Sequence, residues 1–99
     1  MNTLNAGIKI AQTLFNGQTP VTVAGTAEAL AASQPLMNGV LIKALDDNTN
    51  LVYVGNASVD SSNGYILLAD ASVFVEIDDL AKVFIDVDTS GEGVSWLAQ

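Results

Sequence analysis

The sequence predicts an all-β protein: a single β-sandwich, jelly-roll-like or a small barrel, of about seven to eight mostly antiparallel strands. Apolar residues alternate with polar ones along much of the chain, which is typical of strands that bury one face. Clusters of turn-forming residues separate these segments at intervals of roughly ten residues. The chain has 99 residues, enough for one hydrophobic core.

Residues 1–20 are predicted to form an N-terminal arm or hairpin that precedes a sandwich domain over residues 21–99. Asn16-Gly17 separates GIKIAQTLF from QTPVTV, and an Asn-Gly pair favours a tight hairpin turn. Asn38-Gly39 and Asn63-Gly64 predict two further turns, each leading directly into a strand.

The segment TAEALAAS, residues 26–33, is the one helix candidate. Thr26 is a suitable N-cap, and Pro35 ends any helix soon afterwards. A helix this short is marginal without tertiary packing, so a helical turn and an extended strand or loop both remain open.

Two segments are denser in apolar residues than the rest of the chain. They are GVLIKAL, residues 39–45, and LVYVG, residues 51–55, and both are predicted to be central strands covered on both faces. The polar cluster DDNTN, residues 46–50, is predicted to form a hairpin loop between them.

Three C-terminal segments, SVFVEID, KVFIDVD and VSWLA, alternate most clearly. The residues predicted to face the core are Val73, Val75 and Ile77 in the first, Val83, Ile85 and Val87 in the second, and Val94, Trp96 and Ala98 in the third. Each segment is therefore predicted to be a strand with one face in the core.

The composition disfavours several functional classes. Three Lys plus Arg against eleven Asp plus Glu give a net charge of −8, which disfavours binding to nucleic acid and to anionic membrane surfaces. The absence of Cys and His removes the usual catalytic base and the common zinc ligands. Only 14% of the residues are charged, which suggests that partners cover part of the surface. We recognise no signal peptide or membrane span and expect synthesis in the cytoplasm of the cell that makes the protein.

The stretch IDVDTSGEGVSW, residues 85–96, matches the first positions of a calcium-binding EF-hand loop. The closing twelfth position is Leu97 instead of glutamate, and both flanks alternate with period two, so the EF-hand is rejected. The sequence favours a final hairpin in which Asp86, Asp88 and Glu92 face water. A weaker non-EF calcium site on the same carboxylates is the alternative.

No catalytic, cofactor-binding or metal site is predicted, and we expect a protein that is not an enzyme. The pairs Asp46-Asp47 and Asp78-Asp79 fall in predicted loops, where water keeps both carboxylates ionised. No Ser or Thr has a His or Cys partner. We expect Lys43 to be exposed and not a desolvated nucleophile.

Five aromatic residues are candidates for a binding surface: Tyr53, Tyr65, Phe74, Phe84 and Trp96. A stacking platform for sugars or bases is one hypothesis, but their spread over separate strands favours core and interface positions. Phe74 and Phe84 each lie on the otherwise acidic face of a strand. They therefore predict an apolar patch used in assembly.

The order of segments over residues 21–98 resembles small β-sandwich proteins encoded among the structural genes of tailed bacteriophages. The extended segment VTVAGTAEAL is followed by GVLIKAL, VYVGN, the turn VDSSNGYIL, the edge strand SVFVEIDDL and a final VSWLA. VYVGN and SSNGY are the most particular parts of the match. Ala69-Asp70-Ala71 departs from the Pro-Gly that often precedes the edge strand in such sequences, and residues 1–20 are not covered.

The resemblance implies a virion component of the capsid decoration (cement) or head-fibre type. We therefore expect a protein of the outer capsid surface that binds the major capsid protein, stabilises its lattice and assembles as a homo-trimer. One alternative is a carbohydrate-binding or host-adhesin module that uses Tyr53, Tyr65 or Trp96. Another is a tail or neck component with the same fold.

Overall fold

The computed structural model describes residues 13–99, which form two antiparallel four-stranded sheets around a shared core. The eight strands are β1 (Phe15–Pro20), β2 (Glu28–Ala29), β3 (Val40–Ala44), β4 (Val52–Gly55), β5 (Tyr65–Leu67), β6 (Ser72–Val75), β7 (Phe84–Val87) and β8 (Gly93–Ala98). A 3₁₀ turn at Leu80–Lys82 is the one helical element of this part of the chain. The all-β sandwich prediction is confirmed. Within residues 13–99 no helix is long and apolar enough to cross a membrane.

The strand order is that of a jelly roll. Sheet A has the order β1-β8-β3-β6, and sheet B has the order β2-β7-β4-β5. Strand β1 pairs with β8, β2 with β7, β3 with β6 and β4 with β5. The first half of the chain therefore pairs with the second half, as in a long hairpin that folds over to form two sheets. Eight strands in two sheets with this order form a jelly roll, and the two sheets do not close into a single barrel.

The core between the sheets is aliphatic. Its side chains come from both sheets, with Val40 and Ile42 on β3 and Ile85 and Val87 on β7 all buried. The predicted inward faces of the three C-terminal segments are confirmed: Val83, Ile85, Val87, Val94 and Ala98 are buried, and Val73, Val75, Ile77 and Trp96 are partly buried and pack against the core.

Two predicted hairpins are wrong, because the strands on either side belong to different sheets. Residues 46–50 join β3 of sheet A to β4 of sheet B, and residues 88–92 join β7 of sheet B to β8 of sheet A. Turn-forming residues mark where the chain reverses, but they do not distinguish pairing within one sheet from crossing to the other. Among the described strands, β4 and β5 alone are both consecutive and paired.

The predicted N-terminal turn at Asn16-Gly17 is also wrong, since both residues lie inside β1. Gly17 is aligned with Trp96 of β8, and a Cβ added at Gly17 would stand 2.6 Å from Cζ2 of the indole. Gly17 is therefore required because its missing side chain makes room for the Trp96 ring, and it does not form a turn. The rest of the predicted arm or hairpin, residues 1–12, lies outside the described residues.

Residues 26–33 adopt the extended alternative and not the helix. β2 pairs with β7, and the backbone N–H of Leu30 donates to the carbonyl of Val83 at 2.8 Å. The Leu30 side chain is buried in the core. Sheet pairing and burial thus outweigh the local helix propensity of the alanines.

The other two Asn-Gly pairs precede strands as predicted. Asn38-Gly39 leads into β3, and Asn63-Gly64 leads into β5. Gly39 has a φ of +140°, which only glycine adopts readily. The turn before β5 is held by the carbonyl of Asp60, which accepts the N–H of Gly64 at 3.0 Å.

Coverage on both faces is confirmed for β4 but wrong for β3. Val52, Tyr53 and Val54 are all buried, whereas on β3 Leu41 and Lys43 are exposed on the outer face of sheet A. An apolar-rich strand pattern does not show whether its second face meets protein or water. Among residues 13–99, no segment covers Leu41 and Lys43 on the outer face of sheet A.

Asp79 fastens the 3₁₀ turn to the segment before β3. Its Oδ1 accepts hydrogen bonds from the backbone N–H groups of Ala81 at 2.9 Å and Gln34 at 3.0 Å, and its Oδ2 accepts one from the Ser33 hydroxyl at 2.7 Å. The hydrogen bond from Ala81, followed by those from Ser33 and Gln34, lowers the pKa of Asp79. These bonds favour the ionised carboxylate.

Acid is expected to weaken the fold partly through Asp79. Because its pKa is lower in the folded chain, the stabilisation is complete above the unfolded value of about 4 and is lost as the pH falls through the folded value. Asp79→Asn keeps the acceptor Oδ1 without the charge, so its melting temperature should fall less than that of the unmodified chain between about pH 5 and about pH 2. Circular-dichroism melts measure the slopes. The control is Asp46→Asn, in the exposed crossing, and a slope unchanged in Asp79→Asn would contradict the assignment.

Candidate interaction surfaces

The acidic stretch 85–96 spans the crossing from β7 to β8, and its first carboxylate is inside the protein. Asp86 is 2% exposed, although the sequence predicted that it faces water. Its Oδ1 accepts hydrogen bonds from the backbone N–H groups of Gly25 at 2.9 Å and Val87 at 2.8 Å. The prediction failed because the chain around Gly25 lies over the outer face of sheet B.

The second carboxylate, Asp88, is exposed as predicted and accepts a hydrogen bond from the Tyr53 hydroxyl at 2.9 Å. Tyr53 lies directly opposite Asp86 in the β4–β7 pairing and is itself buried. Burial, followed by the hydrogen bond to Asp88, raises the pKa of Tyr53. The phenol therefore stays protonated and serves as a donor to the carboxylate.

The third carboxylate, Glu92, ties the two crossings together. It accepts hydrogen bonds from the Thr49 N–H at 2.8 Å, the Thr49 hydroxyl at 2.7 Å and the Asn50 N–H at 3.1 Å. These bonds, the two from Thr49 first, lower the pKa of Glu92. Buried Asn48 exchanges hydrogen bonds with the backbone of Gly93, at 2.8 Å and 3.3 Å.

The three carboxylates thus bind three different sets of protein donors. Within residues 13–99 no group of three or more acidic or His side chains is arranged to hold a metal ion. The stretch that resembled a calcium loop joins the two sheets and is fastened to the 46–50 crossing.

Replacing Asp86 by alanine should lower the free energy of unfolding by about 1–3 kcal/mol, because two backbone N–H groups lose their acceptor. Asp86→Asn retains the Oδ1 acceptor and should cost less than about 1 kcal/mol. Urea denaturation of both variants gives the comparison. Equal losses in the two variants would refute the acceptor role, since they would point to the charge.

The other charged residues singled out in the sequence lie at the surface. Asp46 and Asp47 are exposed in the first crossing. Lys43 is exposed as predicted, with its Nζ 3.5 Å from the Asp70 carboxylate. Asp78 and Lys82 form a second exposed ion pair at 2.7 Å. Ion pairs this exposed contribute little to stability.

Three apolar side chains form a continuous row across the outer face of sheet A. Leu97 of β8 is aligned with Leu41 of β3, which is aligned in turn with Phe74 of β6. Their exposed fractions are 46%, 40% and 53%. We call Leu97, Leu41 and Phe74 the sheet A strip, and its side chains are adjacent because aligned residues on neighbouring strands point to the same face.

A shallow recess of about 690 Å³ adjoins the sheet A strip. It is bordered by exposed Leu14 and Met37 and by the polar side chains of Glu76 and Gln99. Gly39 lies within it, and a Cβ at this position would stand 2.1 Å from the Val75 carbonyl oxygen. The requirement for glycine keeps the recess open beside Leu41.

The outer face of sheet B is covered by two loops instead. One is the chain around Gly25, which bonds to Asp86. The other is the loop between β4 and β5, whose Val59 is buried. A Cβ added at Gly64 would stand 2.5 Å from Tyr53 Cβ and 2.9 Å from Val59 Cγ2, so this loop folds back onto the sheet. The two sheets therefore present different surfaces to the outside.

A second exposed apolar group lies along the β5 edge strand of sheet B. Ile66 and Leu68, 54% and 65% exposed, have the parity of the outer face, whereas Tyr65, 61% exposed, points to the other side of the same edge strand, where it is aligned with Val54. We call these three exposed residues along the edge the β5 surface. Phe84, predicted to share an apolar patch with Phe74, lies in sheet B and is half-buried. The predicted patch is therefore found at Phe74 but does not include Phe84.

The predicted aromatic platform is not assembled among the described residues. Tyr53 is buried, and Trp96 is half-buried and donates from Nε1 to the Thr19 hydroxyl at 3.0 Å. Tyr65 and Phe74 are exposed but lie on different sheets. Each of the two surfaces thus holds one well-exposed aromatic ring.

Sequence reasoning identified Phe74 but missed Leu41 and Leu97. Leu41 lies in a segment predicted to be covered on both faces, and Leu97 entered no prediction beyond the closing position of a calcium loop. The alternation of both segments predicts that the two leucines are exposed, because each stands one residue away from buried residues of the same strand and so points to the opposite face.

No protein-family model, curated protein or solved structure matches this chain.

Proposed function

We propose that this protein is a structural subunit of a tailed-bacteriophage virion, a decoration or cement protein on the outer surface of the capsid. The observation that carries the proposal is the presence of two separate exposed apolar surfaces, the sheet A strip and the β5 surface, on different sheets. A small domain with two such surfaces is suited to join two protein neighbours. The resemblance of residues 21–98 to phage structural proteins supplies the kind of neighbour, the major capsid protein.

The charge distribution supports a passive role away from the packaged genome. The net charge of −8 repels phosphate backbones. Among the described residues, Lys43 and Lys82 are each held in an ion pair, and no basic patch forms. We therefore propose protein partners and a role that is not enzymatic, with no nucleic-acid or membrane partner.

The carbohydrate-binding alternative receives less support from the geometry. Sugar platforms use exposed aromatic rings grouped on one face. Of the three residues that this hypothesis names, Tyr53 is buried, Trp96 is half-buried, and Tyr65 alone is well exposed. Jelly rolls occur both in viral capsid proteins and in lectins, so the fold does not separate the two functions.

We assign the capsid contact to the β5 surface, which leaves the sheet A strip available for another neighbour. The test is cosedimentation with expanded capsids assembled from the major capsid protein of a tailed bacteriophage whose genome encodes this chain. A variant with Ile66→Ser and Leu68→Ser should bind at least about tenfold more weakly, because it removes two apolar side chains from the contact. Val23→Ser, an equally exposed apolar residue outside both surfaces, is the matched control. Failure of the unmodified chain to cosediment would contradict the proposal.

A further inference from the structure

The outer face of sheet A has a charge pattern that is complementary to itself. Lys43 lies two residues after Leu41 on β3, and Glu76 lies two residues after Phe74, just past the end of β6. Because these strands are antiparallel, Lys43 and Glu76 lie on opposite sides of the apolar row, Lys43 aligned with Ser72 and Glu76 beside Gly39. The strip is thus bordered by a cation on one side and an anion on the other.

We propose that two copies of this chain pair face to face through the sheet A strip, about a two-fold axis that runs along the row Leu97–Leu41–Phe74. Such a rotation sets each residue of the row against its own copy and exchanges the two sides of the row. Lys43 then faces Gly39 of the second copy, next to that copy's Glu76. One rotation therefore produces an apolar centre flanked by two equivalent Lys43–Glu76 ion pairs.

The recess at Gly39 can accommodate the Lys43 side chain of the second copy. Gly39 has no side chain, and the recess that contains it is bordered by Glu76 and Gln99. The Lys43 stem can cover the apolar floor while its ammonium reaches the carboxylate. The contact that Lys43 must give up, to Asp70 at 3.5 Å, is exposed and therefore weak. Within residues 13–99 no ion pair involves Glu76.

The size of the face predicts a weak pairing. Four strands at about 4.8 Å spacing and about five residues in length cover roughly 300 Å² in plan. A standard interface covers about 800 Å² on each partner, so we expect a weak pairing that forms only at high protein concentration. Copies held side by side on a lattice would be at a high effective concentration, where such a contact forms readily.

The pairing is independent of the capsid contact, which we assign to the β5 surface. A chain that binds capsids but never pairs would overturn only the two-fold interface. A chain that pairs but never binds capsids would overturn only the proposed function. The two-fold dimer also differs from the trimer that the family resemblance implies, so stoichiometry separates these two hypotheses.

Sedimentation equilibrium of the full chain, from about 1 µM to about 1 mM, tests the pairing. We expect a monomer–dimer equilibrium that Phe74→Ser weakens at least about 30-fold, since the substitution removes both facing rings. Leu68→Ser, a matched loss of an exposed apolar side chain on the β5 surface, should leave it unchanged. A strict monomer, a trimer, or equal losses in Phe74→Ser and Leu68→Ser would overturn the proposal.

Charge reversal tests the orientation without altering the apolar centre. Lys43→Glu and Glu76→Lys should each weaken pairing about tenfold, because each places like charges together twice in the dimer. The double variant restores opposite charges and should pair within about threefold of the unmodified chain. Additive losses in the double variant would rule out this two-fold arrangement. Circular-dichroism melts check that every variant is folded, as expected for changes confined to exposed side chains.

Discussion

Replacing Ile42 by alanine is expected to lower the free energy of unfolding by about 2–5 kcal/mol. Ile42 is 0% exposed, in a strand of sheet A that has neighbours on both sides, and it belongs to the core between the sheets. The substitution removes buried methyl groups and leaves a cavity that the surrounding strands fill only in part. For a chain of this size each 1 kcal/mol shifts the melting temperature by roughly 4–8 °C, so a fall of at least about 8 °C is predicted.

The matched control is the same substitution at Ile66, which is half-exposed on β5. Ile66→Ala removes the same atoms from a side chain that already meets water, and should cost no more than about 1 kcal/mol. Urea denaturation monitored by Trp96 fluorescence measures both variants. Similar losses at the two positions would contradict the assignment of Ile42 to the core and Ile66 to the surface.

Gly39→Ala is the second substitution with a large expected effect, a loss of about 3 kcal/mol or more. Two physical causes act together at this position. The φ of +140° disfavours any side chain, and the added Cβ would stand 2.1 Å from the Val75 carbonyl oxygen, so β6 must move away from β3. The change would disturb the pairing of the two strands that carry Leu41 and Phe74.

Gly91→Ala separates these two causes. Gly91 has a φ of +90°, but a Cβ added there meets no atom within 4 Å. This variant should lose only the conformational part, about 1–2 kcal/mol. Chemical denaturation of both variants gives the comparison. A loss in Gly39→Ala no larger than that in Gly91→Ala would contradict the close approach of Gly39 to β6.

The sequence predicted which residues form strands better than it predicted which strands pair. Alternation in β6 to β8 is local and follows directly from the burial of one face, as Val73, Ile85 and Val94 illustrate. Pairing is not local, because the turn residues at 46–50 and 88–92 are the same for a hairpin and for a crossing. The jelly-roll order instead follows from contacts between distant segments, such as β1 with β8.

The sequence pattern also did not predict which side chains are buried outside the core between the sheets. Asp86 alternates with core residues, so the pattern placed it in water, but the chain around Gly25 covers it and supplies a backbone donor. Gly17 carried a turn signal, but its missing side chain makes room for the Trp96 ring. In both cases a segment far away in sequence determines the environment.

The candidate interaction surface was predictable at one residue. The sequence predicts an apolar patch at Phe74 because its aromatic ring stands among acidic residues, and Phe74 lies in the sheet A strip. Leu41 and Leu97 do not stand out from their neighbours in the sequence, since each lies among other apolar residues. The alignment of three strands that joins them with Phe74 is a property of the folded sheet.

Hydroxyl-radical footprinting at increasing protein concentration tests the central claim most directly, because Phe74 and Tyr65 report on the two surfaces separately. At low concentration both rings should be oxidised, since both are more than half exposed. At high concentration Phe74 should become protected while Tyr65 stays reactive, and Tyr65 should become protected only when expanded capsids are added. Oxidation of Phe74 that is independent of concentration, together with Tyr65 reactivity that capsids leave unchanged, would contradict the account.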